Sequence, residues 1–387
     1  MSGQAAFSHH PQFRLLTPDP RGVGTLIEGV DREATILTGV AQEPPVRFRS
    51  EDRQWLLCQS SGSEAAPKTV RRSPASWVAS FDISADRFLI SAADIYATLG
   101  SLGHSLTLYA TLEALHLGAG LCALGQSGPR SQVRAMNEFG VTVLYATPVQ
   151  LRLLLRAARA VGIENIGLRR ILVGGGKLDP DLHREVQRMA PAAEIREFFG
   201  ASETSFITLS DKETPQGSVG RAYPGVEIAV DAAPDQTGEI WVRSPYLFDG
   251  YAEGESKDTR WRDGFLSIGE MGWLDARGNL FLRGRKSRMV TVADQNVFPE
   301  EIEAVISAAC HGRICVVLAV PDPVRGNALH CLVERSTLPV RELRRLVRLR
   351  LGPASVPRVI RTVPELPLLP AGKPDLRAIR DLLERAG

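Results

Sequence analysis

Two kinds of hydrophobic pattern alternate along the first half of the chain. Apolar runs of strand length stand at 54–58, 87–90, 118–124, 141–145 and 168–173. Between them, apolar residues at helical spacing predict helices at 105–117, 148–160 and 180–189. Strands that alternate with helices are typical of a mainly parallel sheet covered on both faces. We therefore predict an α/β fold for this region.

The pattern changes from residue 217 onwards. Short β runs broken by glycine and proline, at 225–230, 238–242 and 278–282, predict an antiparallel β subdomain. A charged break follows at 284–288. After it come predicted helices at 299–307 and 340–351 and predicted strands at 314–320, 330–334 and 358–363. We predict two domains: 1–286, with mainly parallel sheets and the β subdomain, and 287–387, a small α+β domain of common size.

Composition and charge narrow the class of protein. The chain has 387 residues, of which 44% are hydrophobic and 23% are charged, as in ordinary globular proteins. The formal net charge of +2 gives no reason to invoke nucleic acid, and the arginines of 340–351 are interpreted as a solvated helix face. Five scattered cysteines form no CxxC pair, and residues 1–20 lack an export signal. No apolar run approaches the roughly 20 residues that span a bilayer. We expect a cytoplasmic protein without a membrane span.

Candidate chemistry is concentrated in three stretches. Phe199-Gly200-Ala201-Ser202-Glu203 combines a ring that can stack on a base, a glycine for close backbone approach, a hydroxyl for phosphate and a carboxylate for a hard cation. The loop 60–68 contains hydroxyls and glycine and ends in a lysine, so it can wrap a polyphosphate. Three consecutive glycines follow the predicted strand 168–173. Ligands of parallel sheets gather at such strand ends.

The order of these stretches resembles that of the adenylate-forming superfamily, which includes acyl-CoA synthetases, carrier-protein adenylation domains and luciferases. The resemblance extends from Trp55 to the C-terminus and also includes 238–242, 248–251, 268–272, 284–285 and 366–373. Within the superfamily, 200–206 looks like the version found in short bacterial AMP-forming acyl-CoA synthetases. A non-amino carboxylic acid is therefore the expected substrate. Phe81-Asp82-Ile83-Ser84 resembles an amine-binding motif, but it precedes the predicted strand 87–90 instead of following it, so we interpret it as coincidence.

The resemblance implies a role for each of a set of residues. Lys373 would bridge the carboxylate and the α-phosphate, Ser202 would contact phosphate, and Glu203 would hold Mg²⁺. Phe199 would stack on adenine, and Glu270 and Arg285 would hold the ribose. The residues assigned to ATP binding are Ser60, Ser61, Gly62, Ser63, Lys68, Gly174, Gly175, Gly176, Phe198, Phe199, Gly200, Ala201, Glu270 and Arg285. His104 and Ala293 are assigned to the acyl and thiol pocket, and Ser287 to the hinge.

The chain departs from the family pattern at several positions. Glu270 stands where the family has aspartate, and Ala293-Asp294 replaces the paired glycines that lie beside the pantetheine tunnel in CoA ligases. The phosphate loop has Glu64, Ala65 and Thr69 in place of threonine and two glycines. The region before this loop is shorter than usual, so part of the N-terminal sheet is expected to be absent.

The activity that the resemblance implies is ATP-dependent activation of a carboxylic acid to an acyl-adenylate, followed by thioester formation with coenzyme A. Its cofactors would be ATP, Mg²⁺ and CoA. Transfer to the phosphopantetheine of a carrier protein, or to another nucleophile, is the alternative that Ala293-Asp294 favours. A catalytically silent nucleotide-binding homologue is the alternative that the short N-terminal region favours. The presence of both Lys373 and Glu203 speaks against a silent protein.

Overall fold

The computed structural model describes residues 6–18, 22–39, 43–60, 68–368 and 374–385. The elements of the first 117 residues are β1 (Arg14–Leu15), α1 (Val23–Asp31), β2 (Thr35–Thr38), β3 (Val46–Arg49), β4 (Leu56–Ser60), β5 (Lys68–Arg72), α2 (Ala75–Phe88), β6 (Ile95–Thr98) and α3 (Ser105–Leu117). Those of the next stretch are β7 (Gly120–Ala123), α4 (Pro129–Glu138), β8 (Val143–Ala146), α5 (Pro148–Val161), β9 (Arg170–Val173), α6 (Pro180–Met189), β10 (Glu194–Ala201), β11 (Ser205–Leu209) and β12 (Arg221–Ala222).

The later elements are mostly strands. They are β13 (Glu227–Val230), β14 (Gly238–Arg243), β15 (Gly250–Glu253), β16 (Arg260–Arg262), β17 (Phe265–Ser267), β18 (Glu270–Leu274) and β19 (Leu280–Arg285). The C-terminal part contains β20 (Val290–Val292), β21 (Gln295–Val297), α7 (Pro299–Ala309), β22 (Cys315–Asp322), β23 (Gly326–Glu334), α8 (Val340–Leu351), β24 (Val359–Val363) and α9 (Leu376–Arg385). Within the described ranges, no helix is long and apolar enough to cross a membrane.

An eight-stranded sheet of order β1-β7-β6-β8-β9-β10-β11-β12 is the centre of the larger part of the molecule. Its strands pair in parallel from β1 to β10, and the last two pairings are antiparallel. Successive side chains of a strand point to opposite faces. Accordingly, Val143 and Tyr145 of β8 enter the core with α2 and α3, whereas Leu144 and Ala146 enter the core with α4, α5 and α6. The predicted sheet with both faces covered is confirmed.

Two further sheets complete this part. A five-stranded sheet has the order β15-β5-β4-β2-β3, and a six-stranded sheet has the order β16-β17-β14-β18-β19 with β13 beside β14. β5, which follows the predicted phosphate loop, pairs with β15, so that Val70 lies opposite Tyr251. The strand after the loop is thus joined to a segment far along the chain.

The C-terminal part has its own core. β22, β23 and β24 form a three-stranded sheet, and β20 and β21 form a hairpin. Two hydrophobic clusters draw their members from residues 290–383, whereas the other three draw theirs from residues 7–282. The predicted small α+β module after 284–288 therefore exists as a separately packed unit.

The predicted strand at 87–90 is wrong, because these residues finish helix α2 and its cap. Phe81 and Phe88 stand seven residues apart, on the same helical face, and both are buried. Leu89 adopts φ 52° after the last helical residue and is 71% exposed. The strand begins only at Ile95. The segment 81–84, interpreted as a coincidental match, lies inside α2.

Candidate functional site

The nucleotide motif lies where β10 leaves the parallel part of the sheet. A bulge between Phe199 and Gly200 interrupts the pairing of β10 with β11. A Cβ atom on Gly200 would lie 1.9 Å from the carbonyl oxygen of Ser205, so a side chain has no room there. The loop after β9 starts beside this turn, because the ring of Phe198 stands against Gly174. The structure therefore brings two of the three predicted stretches to neighbouring strand ends.

Phe198 and Phe199 point to opposite faces of β10. A Cβ atom on Gly174 would lie 2.2 Å from Cζ of Phe198, and the ring centroid of Phe198 is 4.8 Å from that of Phe206. Phe199 packs instead against the cluster that contains Ile207 and β14 residues. Because the two rings are on opposite faces, a base that stacks on one cannot stack on the other. A Cβ atom on Gly175 would lie 3.4 Å from Cγ2 of Thr147, and one on Gly176 would lie 3.6 Å from Cδ of Pro148, so a small side chain would make only ordinary contacts with these neighbours.

Ser202 faces the start of helix α3. Its hydroxyl lies 2.8 Å from the hydroxyl of Ser105, the first residue of that helix. His104 is the N-cap residue of α3, and its carbonyl accepts the first helical hydrogen bond, from Leu108. The predicted acyl-pocket residue His104 is therefore one residue away from the contact with Ser202.

Glu203 is held at two points by the segment around β15. Its carbonyl accepts a hydrogen bond from the backbone N–H of Phe248 at 2.8 Å, and the hydroxyl of Tyr251 donates to Oε1 at 2.8 Å. Burial, together with the charge of Glu203, raises the pKa of Tyr251, so this hydroxyl stays a donor. The ammonium of Lys68 lies 5.8 Å from the centroid of the Tyr251 ring. Lys68 and Glu203 therefore both adjoin the side chain of Tyr251.

The donor set around Glu203 fits a magnesium ion held mainly by a nucleotide. Oε2 of Glu203 makes no hydrogen bond to the described residues, so it is available as a ligand. In the described part of the chain, no group of three His, Cys, Asp or Glu side chains could hold a metal by itself. Mg²⁺ is usually bound by one or two carboxylates together with phosphate oxygens and water. A single carboxylate is therefore sufficient here.

Glu270 and Arg285, the two residues assigned to the ribose, form an ion pair. They lie opposite each other on β18 and β19, and Nε of Arg285 is 3.1 Å from Oε1 of Glu270. Burial by itself would lower the pKa of Arg285. The charge of Glu270 and its hydrogen bond have a larger effect in the opposite direction, so the pKa of the guanidinium is raised. The charge of Glu203 acts in the same direction.

Ser287 is exposed and stands between two anchored neighbours. Lys286 is tied to the larger part, through its N–H to the carbonyl of Gly269 at 2.8 Å and its ammonium to Glu239 at 3.0 Å. Arg288 is tied to the C-terminal part through Glu303 at 2.6 Å. Ser287 therefore stands between a residue bonded to the larger part and one bonded to the C-terminal part, and its assignment as the hinge stays a prediction.

Ala293 and Asp294 form the two-residue loop between β20 and β21, with φ of 47° and 62°. Both values belong to a type I′ turn, which usually requires glycine or asparagine. Ala293 is exposed and donates its N–H to the carbonyl of Arg325 at 3.0 Å, within the C-terminal part. No hydrogen bond in the described ranges joins it to Ser202 or Glu203.

Several assigned residues lie outside the described ranges. They are Ser61, Gly62, Ser63 and Lys373. Ser60 ends β4, and its side chain is not described. Their assignments stay predictions.

Two residues at this site were not predicted from the sequence. Tyr251 holds Glu203, and Arg72 donates to the carbonyl of Ser202 at 2.6 Å. The sequence signal for Arg72 was the alternation of side chains within β5. Val70 is fully buried, and Arg72 follows two residues later, so its side chain must lie on the same buried face of the strand. The contact of Tyr251 with Glu203 spans 48 residues and leaves no local signal.

Comparison with known proteins gives a consistent result. The family described as AMP-binding enzyme matches residues 13–252, and the AMP-binding enzyme C-terminal domain matches residues 301–373. An uncharacterized acyl–CoA ligase of Bacillus subtilis, YhfT, is 28% identical over 355 residues, which cover 89% of this chain and 72% of that protein. The putative long chain fatty acid-CoA ligase VraA of Staphylococcus epidermidis is 27% identical over 318 residues, covering 81% of this chain and 68% of that protein.

Solved structures share the fold. The amide bond synthetase McbA from Marinactinospora thermotolerans superposes with a TM-score of 0.73 at 25% identity, covering 89% of this chain and 72% of that one. The O-succinylbenzoate coenzyme A synthetase MenE of Bacillus subtilis, in complex with ATP and magnesium, superposes with a TM-score of 0.74 at 23% identity. The match covers 84% of this chain and 70% of that one. The resemblance to adenylate-forming enzymes is confirmed, since the first family match covers more than half of the chain. This chain belongs to the family of AMP-binding enzymes.

Proposed function

We propose that the protein is an AMP-forming acid–thiol ligase, which activates a carboxylic acid with MgATP and transfers the acyl group to coenzyme A. The observation that carries this proposal is the meeting of Lys68, Ser202 and Glu203 beside the glycine loop at the strand ends. A cation, a hydroxyl and a carboxylate with a free oxygen are the groups that a metal-bound triphosphate needs.

The chemistry assigns a task to each residue. The substrate carboxylate attacks the α-phosphorus of ATP, the bond to the β,γ-phosphates breaks, and pyrophosphate leaves. Both reactants are anions, so positive charge at the transition state is required. Lys373 supplies it, while Glu203 holds the Mg²⁺ that neutralises phosphate charge. Phe199 supports the adenine.

Other residues orient the nucleotide during this step. Ser202 orients the phosphates, and the Glu270–Arg285 pair holds the ribose. In the second step, the acceptor thiolate attacks the acyl carbonyl and AMP leaves. We also propose that this step follows a rotation of residues 287–387 on residues 1–286 about Ser287.

A cleft in the C-terminal part supports a phosphate-bearing acceptor. This open cleft of about 530 Å³ is lined by Arg325, Arg344, Arg348, Pro353, Val356, Pro357 and Arg358. In the part of the chain that the structure describes, the guanidinium groups of Arg325 and Arg348 have no acceptor. The backbone of Arg325 also binds Ala293, the residue assigned to the thiol path. Coenzyme A carries several phosphate groups and a thiol in one molecule, so it suits this cleft better than a carrier-protein arm with one phosphodiester.

Two further points belong to the proposal. The five cysteines are free and buried, as expected in a reducing compartment, and we place the activity in the cytoplasm. The acid is a non-amino carboxylic acid that enters beside His104. A carrier-protein thiol is the alternative acceptor, and an amine is a second one, favoured by the similarity to the amide bond synthetase McbA.

Acid-dependent exchange of labelled pyrophosphate into ATP tests the proposal. A panel of aliphatic, aromatic and dicarboxylic acids should contain at least one that supports exchange by the wild-type protein. Lys373→Ala should lower that exchange by about 10²–10³-fold, because one preorganised contact at the transition state is lost. CoA, a phosphopantetheinylated carrier and an amine are then compared as acceptors of the adenylate. Exchange with no acid in the panel would contradict the proposed activity and favour a silent nucleotide-binding protein.

A further inference from the structure

Arg72 is a buried cation directly behind the motif. Its side chain is fully buried, and it forms no ion pair with a carboxylate in the described ranges. Its guanidinium carbon lies 5.2 Å from the centroid of the Trp77 ring. Burial lowers the pKa of Arg72 to about 10, which still leaves it charged at neutral pH. Removing a cation from water costs several kcal/mol, and apolar residues often replace buried charges without loss. Stability alone therefore gives no reason for an arginine here.

The hydrogen bonds of this guanidinium are specific. One terminal nitrogen donates to the carbonyl of Ser202 at 2.6 Å. The other donates to the carbonyl of Tyr246 at 2.7 Å and to the hydroxyl of Ser76 at 2.9 Å. Nε has no partner among the described residues. Two of these acceptors are backbone carbonyls from chain segments that are far apart in the sequence.

Those two segments are the ones that hold Glu203. The carbonyl of Ser202 belongs to the peptide unit that joins Ser202 to Glu203, so fixing it fixes the backbone of Glu203. Tyr246 begins the segment whose Phe248 N–H and Tyr251 hydroxyl both bind Glu203. Loss of the guanidinium would release both segments and leave two carbonyls unpaired.

We propose that Arg72 is the positioning residue for Glu203 in the binding of MgATP. It fixes the backbone on both sides of the carboxylate by binding the carbonyls of Ser202 and Tyr246. The inference rests on the proposed function, because it takes Glu203 to be the magnesium ligand. Partners that orient a metal ligand typically change metal affinity or activity by 10–100-fold when they are removed.

Calorimetric titration of ATP into the full-length protein, with Mg²⁺ and with a chelator, tests this role in the absence of any acid. Magnesium should tighten ATP binding to the wild type. In Arg72→Met that magnesium-dependent gain should fall by about 10–100-fold. Arg72→Lys should recover part of the gain, because it keeps the charge but loses the two-carbonyl geometry. Ser76→Ala is the matched control: it removes one acceptor of Arg72 and leaves the two that frame Glu203, so its gain should equal that of the wild type.

The outcomes separate this inference from the proposed function. A folded Arg72→Met protein that shows the wild-type magnesium-dependent gain in ATP affinity would overturn the inference. If Arg72→Met does not fold, Arg72→Lys decides, and a wild-type gain in that variant would overturn the inference. Equal loss of ATP affinity with and without magnesium would also overturn it, because a merely structural role predicts that result. A wild type that shows acid-dependent exchange but no magnesium effect on ATP binding would overturn the role of Glu203 and this inference, and leave the activity standing.

Discussion

Glu113 lies wholly inside the core between α3 and the eight-stranded sheet. The hydroxyl of Tyr96 donates to its carboxyl group at 3.0 Å and that of Tyr109 at 3.3 Å. Burial nevertheless dominates and raises the pKa of Glu113 from 4.5 to about 7. The carboxyl group is therefore protonated in the folded protein over a pH range in which the unfolded chain has already lost this proton.

The pH dependence of stability follows from that difference. Below pH 4.5 both states hold the proton, and the full stability is present; as pH rises to about 7 and beyond, the free energy of unfolding falls by about 3 kcal/mol. Glu113→Gln cannot ionise, so between pH 5 and pH 8 it should lose less stability than the wild type. Urea unfolding across this range measures the slopes. Exposed Glu138→Gln serves as the control and should follow the wild type; parallel slopes for Glu113→Gln and wild type would contradict the raised pKa.

The hairpin β20–β21 carries its own strain. Ala293 adopts φ 47°, a conformation that costs a residue with a Cβ atom about 1–2 kcal/mol. Ala293→Gly removes this cost but makes the unfolded chain more flexible. We expect a net gain of about 0.5–1 kcal/mol in the free energy of unfolding of the C-terminal part, measured by denaturant unfolding.

A second substitution of the same kind provides the control for the hairpin. Ala304 is exposed within helix α7, where glycine costs about 1 kcal/mol relative to alanine. Ala304→Gly should therefore destabilise the same part of the molecule. If both substitutions changed stability in the same direction, the turn assigned to Ala293 would be wrong.

Elements with a regular pattern and clear end signals were predictable from the sequence. α5 begins at a capping box, in which the hydroxyl of Thr147 accepts from the N–H of Gln150, and it ends at Gly162 with φ 73°. α4 was not predicted, because its sequence is mostly polar and only Gln132, Val133 and Met136 are buried. The error at 87–90 has a related cause: an apolar run fits a strand and the end of a buried helix equally well.

At the candidate site, too, features with a local sequence signal could be predicted and features without one could not. The position of Gly200 and Glu203 at a strand end could be predicted, because their motif is local. The support for Glu203 could not, since the bond from Arg72 to Ser202 spans 130 residues and that from Arg72 to Tyr246 spans 174. Such contacts follow from the pairing of β5 with β15, and no local pattern encodes that pairing.

At the scale of the whole molecule, Ser287 is the hinge that we propose between two separately packed parts. Ion pairs hold them in the present arrangement, including Arg283 with Glu301 at 2.7 Å. Hinges are short segments that absorb large changes in φ and ψ. Ser287→Pro fixes φ near −65° and should therefore favour one arrangement. We expect it to slow one half-reaction at least about tenfold more than the other.

Pyrophosphate exchange reports the first half-reaction, and the rate of CoA attack on supplied acyl-adenylate reports the second. Ser287→Ala leaves φ free and should behave as the wild type in both assays. Wild-type rates in both steps for Ser287→Pro would exclude rotation about this residue.

The pairing of β5 with β15 also has a consequence during synthesis on the ribosome. Thr69 on β5 and its partner Glu253 on β15 are 184 residues apart. At about 5–20 residues per second, β5 waits about 10–40 s for its neighbour. Until then one edge of its sheet is open, and open edges invite pairing with other chains unless charged side chains protect them. The basic residues Lys68, Arg71 and Arg72 lie on this strand, and charges of this kind discourage pairing at an open edge.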